Sequence, residues 1–126
     1  MIAETIKPLP KKQFDCLVHN IYHEARGESL KGKIEVAAVT LNRTKHPDFP
    51  KTICEVVYQK GQFSWTEMEH ESKHNHKAWA ACADAAVRAY YSNIGTALYF
   101  HHVSVRPRWS KTKTYLYKIG SHVFYQ

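Results

Sequence analysis

The chain has 126 residues, 44% hydrophobic and 23% charged, with a formal net charge of +7 and a pI near 9.4. That length suits one domain with one modest core, and the composition is that of an ordinary soluble globular protein. No stretch approaches the ~18 apolar residues of a membrane-spanning helix. The basic excess favours polyanionic partners: nucleic acid, an anionic lipid surface or an acidic wall polymer.

Residues 1–10, with Pro8 and Pro10, read as an extended arm. From Lys11 to Ala25, Phe14, Leu17, Val18, Ile21, Tyr22 and Ala25 recur at the i, i+3, i+4, i+7 spacing of an amphipathic helix, with Gly27 as its stop. A second helix is predicted from about Ser29–Lys31 to Arg43, its face made by Ile34, Ala37, Ala38 and Leu41. Pro47 and Pro50 bracket a loop. A short third helix fits Lys51–Gln59, with Thr52 near its cap. Residues 60–76 are polar and irregular, and a long loop of this kind in a compact domain is commonly functional. A fourth helix fits about 76–91, ended by Asn93 and Gly95. Residues 97–102 read as a strand, and residues 115–125 as two aromatic-rich arms turning at Gly120. The expected fold is a single α+β domain over 1–126: an arm at 1–10, a helical core at 11–92, and a small antiparallel sheet at 97–125.

The three cysteines, Cys16, Cys54 and Cys82, each lie in a helix-like apolar pattern. Their count is odd and no CxxC spacing exists, so neither a zinc ribbon nor a redox motif is supported. The simplest expectation is three reduced thiols in the core. Residues 1–12 contain no apolar run long enough for a signal peptide.

The chemistry concentrates at residues 21–43. Glu24 ends the first amphipathic stretch, and Arg26, Gly27 and Glu28 break it. A general acid for glycosidic cleavage must hold its proton near neutral pH, and apolar surroundings raise a carboxyl pKa. Glu24 sits beside Tyr22, Ala25 and the apolar stripe. The plain alternative is a surface glutamate at a helix end, or one tied to Arg26. Glu28 is a candidate second carboxylate, a substrate acceptor, or a structural partner of Arg26 or Arg43. Glu67, Glu69 and Glu71 are further candidates for a second carboxylate. In the 60–65 stretch KGQFSW, Gln62 and Ser64 offer hydrogen bonds while Phe63 and Trp65 offer flat apolar faces, a combination that binds sugars. Either ring could instead belong to the core. The same weighing applies to Tyr99, His101 and Trp109. His122 and Phe124 read as packing residues.

Nine histidines invite a metal reading. The HEARG run begins like the HExxH of zinc proteases but has Gly27 where the second histidine belongs. His70, His74 and His76 lie in the polar loop with no cysteine nearby. Neither a metal nor a cofactor is expected, and a Cys–His nucleophile pair is equally unsupported.

YHEARGE, the AAVTLNR run at 37–43, GQFSW and the C-terminal IGSHVFY resemble the SleB-like cell-wall hydrolases, over roughly residues 14–125. That family includes spore-cortex lytic enzymes and many bacteriophage endolysins. The resemblance implies a lysozyme-like fold and peptidoglycan glycan strands as substrate. It maps the first glutamate of the EARGE motif, Glu24, to the acid, with Glu28 as its possible second carboxylate. It brings Tyr99, His101 and Trp109 toward the cleft as candidate substrate contacts, and Arg26, Gln62, Phe63, Ser64 and Trp65 are the further candidates beside them. Spore-cortex members are similar to lytic transglycosylases, which need only one glutamate. Without a signal peptide or wall-binding module, the chain is expected to be a monomeric phage endolysin. It would be made in the host cytoplasm and released by a holin to the periplasm or wall.

A reading of another class is a non-catalytic basic module for nucleic acid or another polyanion, since YLYK and RPRW mix aromatics with cations. Nucleic acid is not the expected partner if Glu24 is catalytic. An amidase or peptidase lacks a zinc motif or an available Cys–His pair.

Overall fold

The structure, a computed structural model, describes residues 7–67, 75–92 and 94–126. Among these, helix α1 spans Lys11–Ala25, α2 Leu30–Thr44, α3 Ile53–Val57 and α4 His76–Tyr90. Strands β1 Tyr99–His102, β2 Tyr115–Ile119 and β3 His122–Tyr125 follow, and Ser64–Glu67 and Arg108–Lys111 are single 3-10 turns.

Each helix begins where its sequence supplies a start. Pro10 stands at the N-cap of α1 with φ −56°. Ser29 caps α2 by accepting from Gly32 N, and Thr52 caps α3 by accepting from Glu55 N. Asn75 accepts from Ala78 N at the start of α4. The chain leaves α1 through an ordinary turn, with Glu28 N donating to Ala25 O. Gly27 does not adopt positive φ, so it ends the helix without the left-handed cap expected of it. Helix α4 ends at Tyr90, before Gly95, and α3 is shorter than its pattern suggested. Asn93 and the stretch 68–74, with Glu69, Glu71, His70 and His74, lie outside the described residues.

The core is built from the inward stripes of all four helices and the sheet. Leu17, Val18 and Ile21 of α1 meet Val36, Ala37 and Val39 of α2, Val57 of α3, and Cys82, Ala86 and Ala89 of α4. Small residues on α2 and α4 let these two helices approach over a wide contact. Phe124 of β3 is fully buried against them.

The sheet is antiparallel with order β1-β3-β2. Phe100 pairs with Phe124 and His102 with His122. Ile119 pairs with His122 across a two-residue turn of Gly120 and Ser121, with a bulge between Tyr115 and Tyr117. Gly120 has φ +57°, which is costly for any residue with a Cβ. The expected fold, mainly helical with a small C-terminal antiparallel sheet, is the one observed.

The cysteine expectation is corrected. Cys16 and Cys54 form a disulfide that joins α1 to α3 across 38 residues of sequence, and Cys82 alone is a free, buried thiol. Helical periodicity assigned each cysteine an inward face. It could not show that two of those faces meet.

Candidate active site

Glu24 occupies the last turn of α1, where the apolar stripe turns toward the sheet. It is half-buried, and it lines a cavity of about 430 Å³ together with Gln62, Phe63, Ser64, Glu67, His101 and His122. Burial raises its carboxyl pKa from 4.5 to about 7, because the charged form loses hydration without a compensating charge. A carboxyl in this state still carries its proton near neutral pH, which general-acid chemistry requires. A more apolar cavity bordered by Leu9, Ile53 and Tyr90 lies among other residues and does not include Glu24.

Trp65 supports this region from within. It is 8% exposed, and its Nε1–H donates to Asn20 Oδ1 at 2.9 Å. The Asn20 amide in turn donates to Thr40 Oγ1 at 3.4 Å. The Trp65 ring stacks on His23 with centroids 4.4 Å apart, one residue before Glu24. Trp65 is thus a core residue rather than an exposed sugar platform. Phe63 is also buried but lines the cavity.

A second hollow of about 370 Å³ adjoins the first, sharing Gly61, Gln62, Phe63 and Phe100 with it. Arg43, Tyr99, Trp109 and Lys113 line its other side. Arg43 Nη1 donates to Gln62 Oε1 at 3.1 Å and its Nε to Leu98 O at 2.8 Å. The first of these bonds occupies the Gln62 carbonyl and leaves the amide NH2 as the donor end. Trp109 packs on Tyr99, His101 and Tyr125. His101 Nε2 shares a hydrogen bond with the Tyr125 hydroxyl at 2.9 Å.

The structure therefore brings Glu24, Gln62, Phe63, Ser64, Tyr99, His101 and Trp109 to two adjoining hollows. It does not bring Glu28 or Arg26 there. Glu28 Oε1 accepts from the Ser121 backbone N–H, and its backbone carbonyl accepts from Lys33 Nζ. Arg26 is exposed, its guanidinium 4.7 Å from the Tyr22 ring centroid, so the Glu28 pairings with Arg26 or Arg43 do not form. Among the described residues, the second carboxylate lining the Glu24 cavity is Glu67, whose Oε1 accepts from Gly61 N at 3.1 Å.

Two lining residues were read otherwise from the sequence. His122, taken for packing, is 2% exposed yet borders the cavity, its Nδ1 3.7 Å from Glu28 Oε1. Burial lowers its pKa, partly opposed by Glu28. Arg43, considered only as a partner for Glu28, is 5% exposed and borders the second hollow. The signal available was an arginine directly after the apolar face of a helix, in the AAVTLNR run. Among the described residues no group of three His, Cys, Asp or Glu side chains converges as a metal site would, and no helix is long and apolar enough to cross a membrane.

A family model described as Cell Wall Hydrolase matches residues 27–125, a span that opens just after Glu24. The spore cortex-lytic enzyme of Oceanobacillus iheyensis is 30% identical over 121 residues, covering 90% of this chain and 41% of that protein. The spore cortex-lytic enzyme of Bacillus subtilis strain 168 is 28% identical over 109 residues, covering 86% of this chain and 35% of the relative. The chain thus spans about two fifths of these relatives. The catalytic domain of the germination-specific lytic transglycosylase SleB from Bacillus anthracis superposes with a TM-score of 0.76 at 27% identity, covering 97% of this chain and 100% of that one. The catalytic domain of the Bacillus cereus SleB protein gives a TM-score of 0.75 at 28% identity, covering 96% of this chain and 94% of that one.

Proposed function

The chain belongs to the cell wall hydrolase family, and on that premise we propose that it cleaves the β-1,4 bond between N-acetylmuramic acid and N-acetylglucosamine, with Glu24 as general acid. The observation that carries this is the half-buried Glu24 carboxyl, its pKa raised to about 7, in a cavity rimmed by amide, hydroxyl and aromatic groups.

Glu24 gives its proton to the glycosidic oxygen as the bond to the muramic anomeric carbon breaks. The leaving glucosamine departs as a free 4-hydroxyl. The Glu24 carboxylate then removes the proton from the muramic 6-hydroxyl, whose oxygen closes on the anomeric carbon. One carboxyl serves both steps, no water is consumed, and the product is an anhydro sugar. Two features support this transglycosylase reading: Glu28 is engaged by Ser121 N, and a similar solved domain is titled a lytic transglycosylase.

A second reading follows from Glu67, which borders the same cavity. A muramidase would use that carboxylate as base or nucleophile toward a water-derived product. Mass analysis of fragments released from purified peptidoglycan separates the two. Anhydro-muramic ends that vanish with Glu24→Gln support the transglycosylase. Reducing ends that vanish with either Glu24→Gln or Glu67→Gln support the hydrolase. Equal release by wild type and Glu24→Gln overturns the assignment of Glu24.

The cellular role we read from this activity is that of a phage endolysin acting on a host wall. The +7 charge, which favours an anionic envelope, supports it. Expressed alone in bacteria, the chain is expected to leave cells intact until the inner membrane is permeabilised. Lysis without permeabilisation would rule out dependence on a separate release step.

A further inference from the structure

The hollow beside the Glu24 cavity holds positive charge that the described residues do not balance. Arg43 is 5% exposed, and its two hydrogen-bond acceptors, Leu98 O and Gln62 Oε1, are both neutral. No ion pair joins it to any described carboxylate. Its guanidinium instead lies among the rings of Phe49, Phe63 and Tyr99, with centroids 4.8, 5.7 and 5.5 Å away. Burial lowers its pKa to about 10, the direction expected of a cation removed from water without an anion beside it. Buried charges in proteins are normally paired.

Lys113 adds a second cation to the same hollow, its Nζ 4.6 Å from the Tyr99 centroid. Among the described residues, no acidic side chain lines this hollow. A planar guanidinium and an ammonium that border one hollow suit a carboxylate bound in it. The hollow shares Gly61, Gln62, Phe63 and Phe100 with the Glu24 cavity, so the two lie side by side, and a substrate long enough to extend past these residues meets both.

We propose that Arg43 and Lys113 form a carboxylate subsite of the Glu24 cleft, which takes an acidic group carried by the glycan strand beside the bond that is cut. This rests on the peptidoglycan reading above. The acidic group has two possible sources: the lactyl carboxylate of muramic acid itself, or a carboxylate of the attached peptide stem. The subsite makes carboxylate-bearing strands better substrates than the same strands with neutral side groups.

The test uses two strand preparations, peptide-bearing and amidase-stripped. Each is compared with its own carbodiimide-capped form, in which the carboxylates are neutral amides. Wild type is expected to show kcat/KM about tenfold higher on native than on capped strands, the scale of one charge-assisted hydrogen bond. Lys113→Met is expected to shrink that ratio toward one, chiefly through KM, and Lys113→Glu to push it below one. Lys113 is the position to change, because it is only partly buried, whereas Arg43 also holds Gln62 and Leu98. A merely structural lysine would lower both rates and leave the ratio alone. A preference on stripped strands assigns the lactyl group, and one confined to peptide-bearing strands assigns the stem. Ratios equal in wild type and both variants overturn the subsite while leaving the glycosidase standing. No release from any strand by wild type overturns the glycosidase reading itself, and the subsite with it.

Discussion

Glu28 Oε1 lies 2.8 Å from the Ser121 backbone nitrogen and accepts its hydrogen bond, tying the α1–α2 connection to the tip of the β2–β3 hairpin. The fit is close. A Cβ on Gly120 would lie 2.5 Å from the same oxygen. His122, the first residue of β3, then borders the cavity that Glu24 lines. The catalytic candidate and the hairpin are held together by a carboxylate that stands outside the cavity.

This arrangement makes Glu28 a positioning residue. Glu28→Gln keeps an acceptor oxygen and is expected to retain most stability and turnover. Glu28→Ala leaves the Ser121 N–H without its partner and is expected to cost about 1–3 kcal/mol. Gly120→Ala meets both the positive φ and the carboxylate, and is expected to cost at least as much. Thermal melts beside kcat measure this. Loss of turnover in Glu28→Gln with an unchanged melt would instead return Glu28 to the chemistry.

The pH response of Glu24 has a definite sign. Its folded pKa, about 7, stands above the 4.5 of an unhindered glutamate. The protonated acid is therefore lost as pH rises through 7, and kcat/KM is expected to fall about tenfold per pH unit above that point. Stability moves the same way. Its contribution is complete below pH 4.5, and it declines as pH rises toward and through 7, because the buried carboxylate must then carry charge. Glu24→Gln is expected to be inactive yet more stable than wild type at pH 8, by roughly 1–3 kcal/mol, with the gap closing near pH 4.5. Urea titrations at the two pH values test it. A gap of equal size at both would mean that the carboxyl is not desolvated.

Reduction of the Cys16–Cys54 bond is expected to lower the melting temperature. A crosslink closing 38 residues contributes about 4 kcal/mol in the loop-closure picture, less if the reduced unfolded chain retains structure. Melts of wild type with and without a thiol reductant, beside the Cys16→Ser/Cys54→Ser double variant, measure the effect. Equal melts in all three would mean that the bond does not form in solution. Cys82 is buried and apart from the pair, so Cys82→Ala is expected to leave the response to reductant unchanged.

Trp65→Phe keeps a ring but removes the donor to Asn20 Oδ1. The orphaned buried carbonyl is expected to cost about 1–3 kcal/mol. Activity per folded molecule is expected to change less than with Gln62→Ala, whose amide borders both hollows. Sugar-binding assays in which the two substitutions weaken affinity equally would make Trp65 a substrate contact after all.

Much of this fold is legible in the chain because helices carry their evidence locally. The stripe from Phe14 to Ala25 has the 3.6 period, and Ser29, Thr52 and Asn75 are residue types that cap. Gly120 between two aromatic arms announces a tight turn. Glu24 is legible too, as a carboxylate at the end of an apolar stripe. Contacts across the fold are not. Ser121 reaches Glu28 over 93 residues of sequence, and Tyr117 reaches Glu35 over 82.

By itself the sequence determined where helices start, which faces turn inward, where the hairpin bends, and that an acid stands at the end of α1. Periodicity and capping act over a few residues, so they are written in neighbouring letters. Only the tertiary structure decided that Cys16 bonds Cys54, that Glu67 rather than Glu28 borders the Glu24 cavity, and that Arg43 and Lys113 border one hollow with no described carboxylate in its lining. Those outcomes depend on how the α1–α2 unit meets the sheet. Burial and charge balance at a site are properties of that packing, not of any one segment.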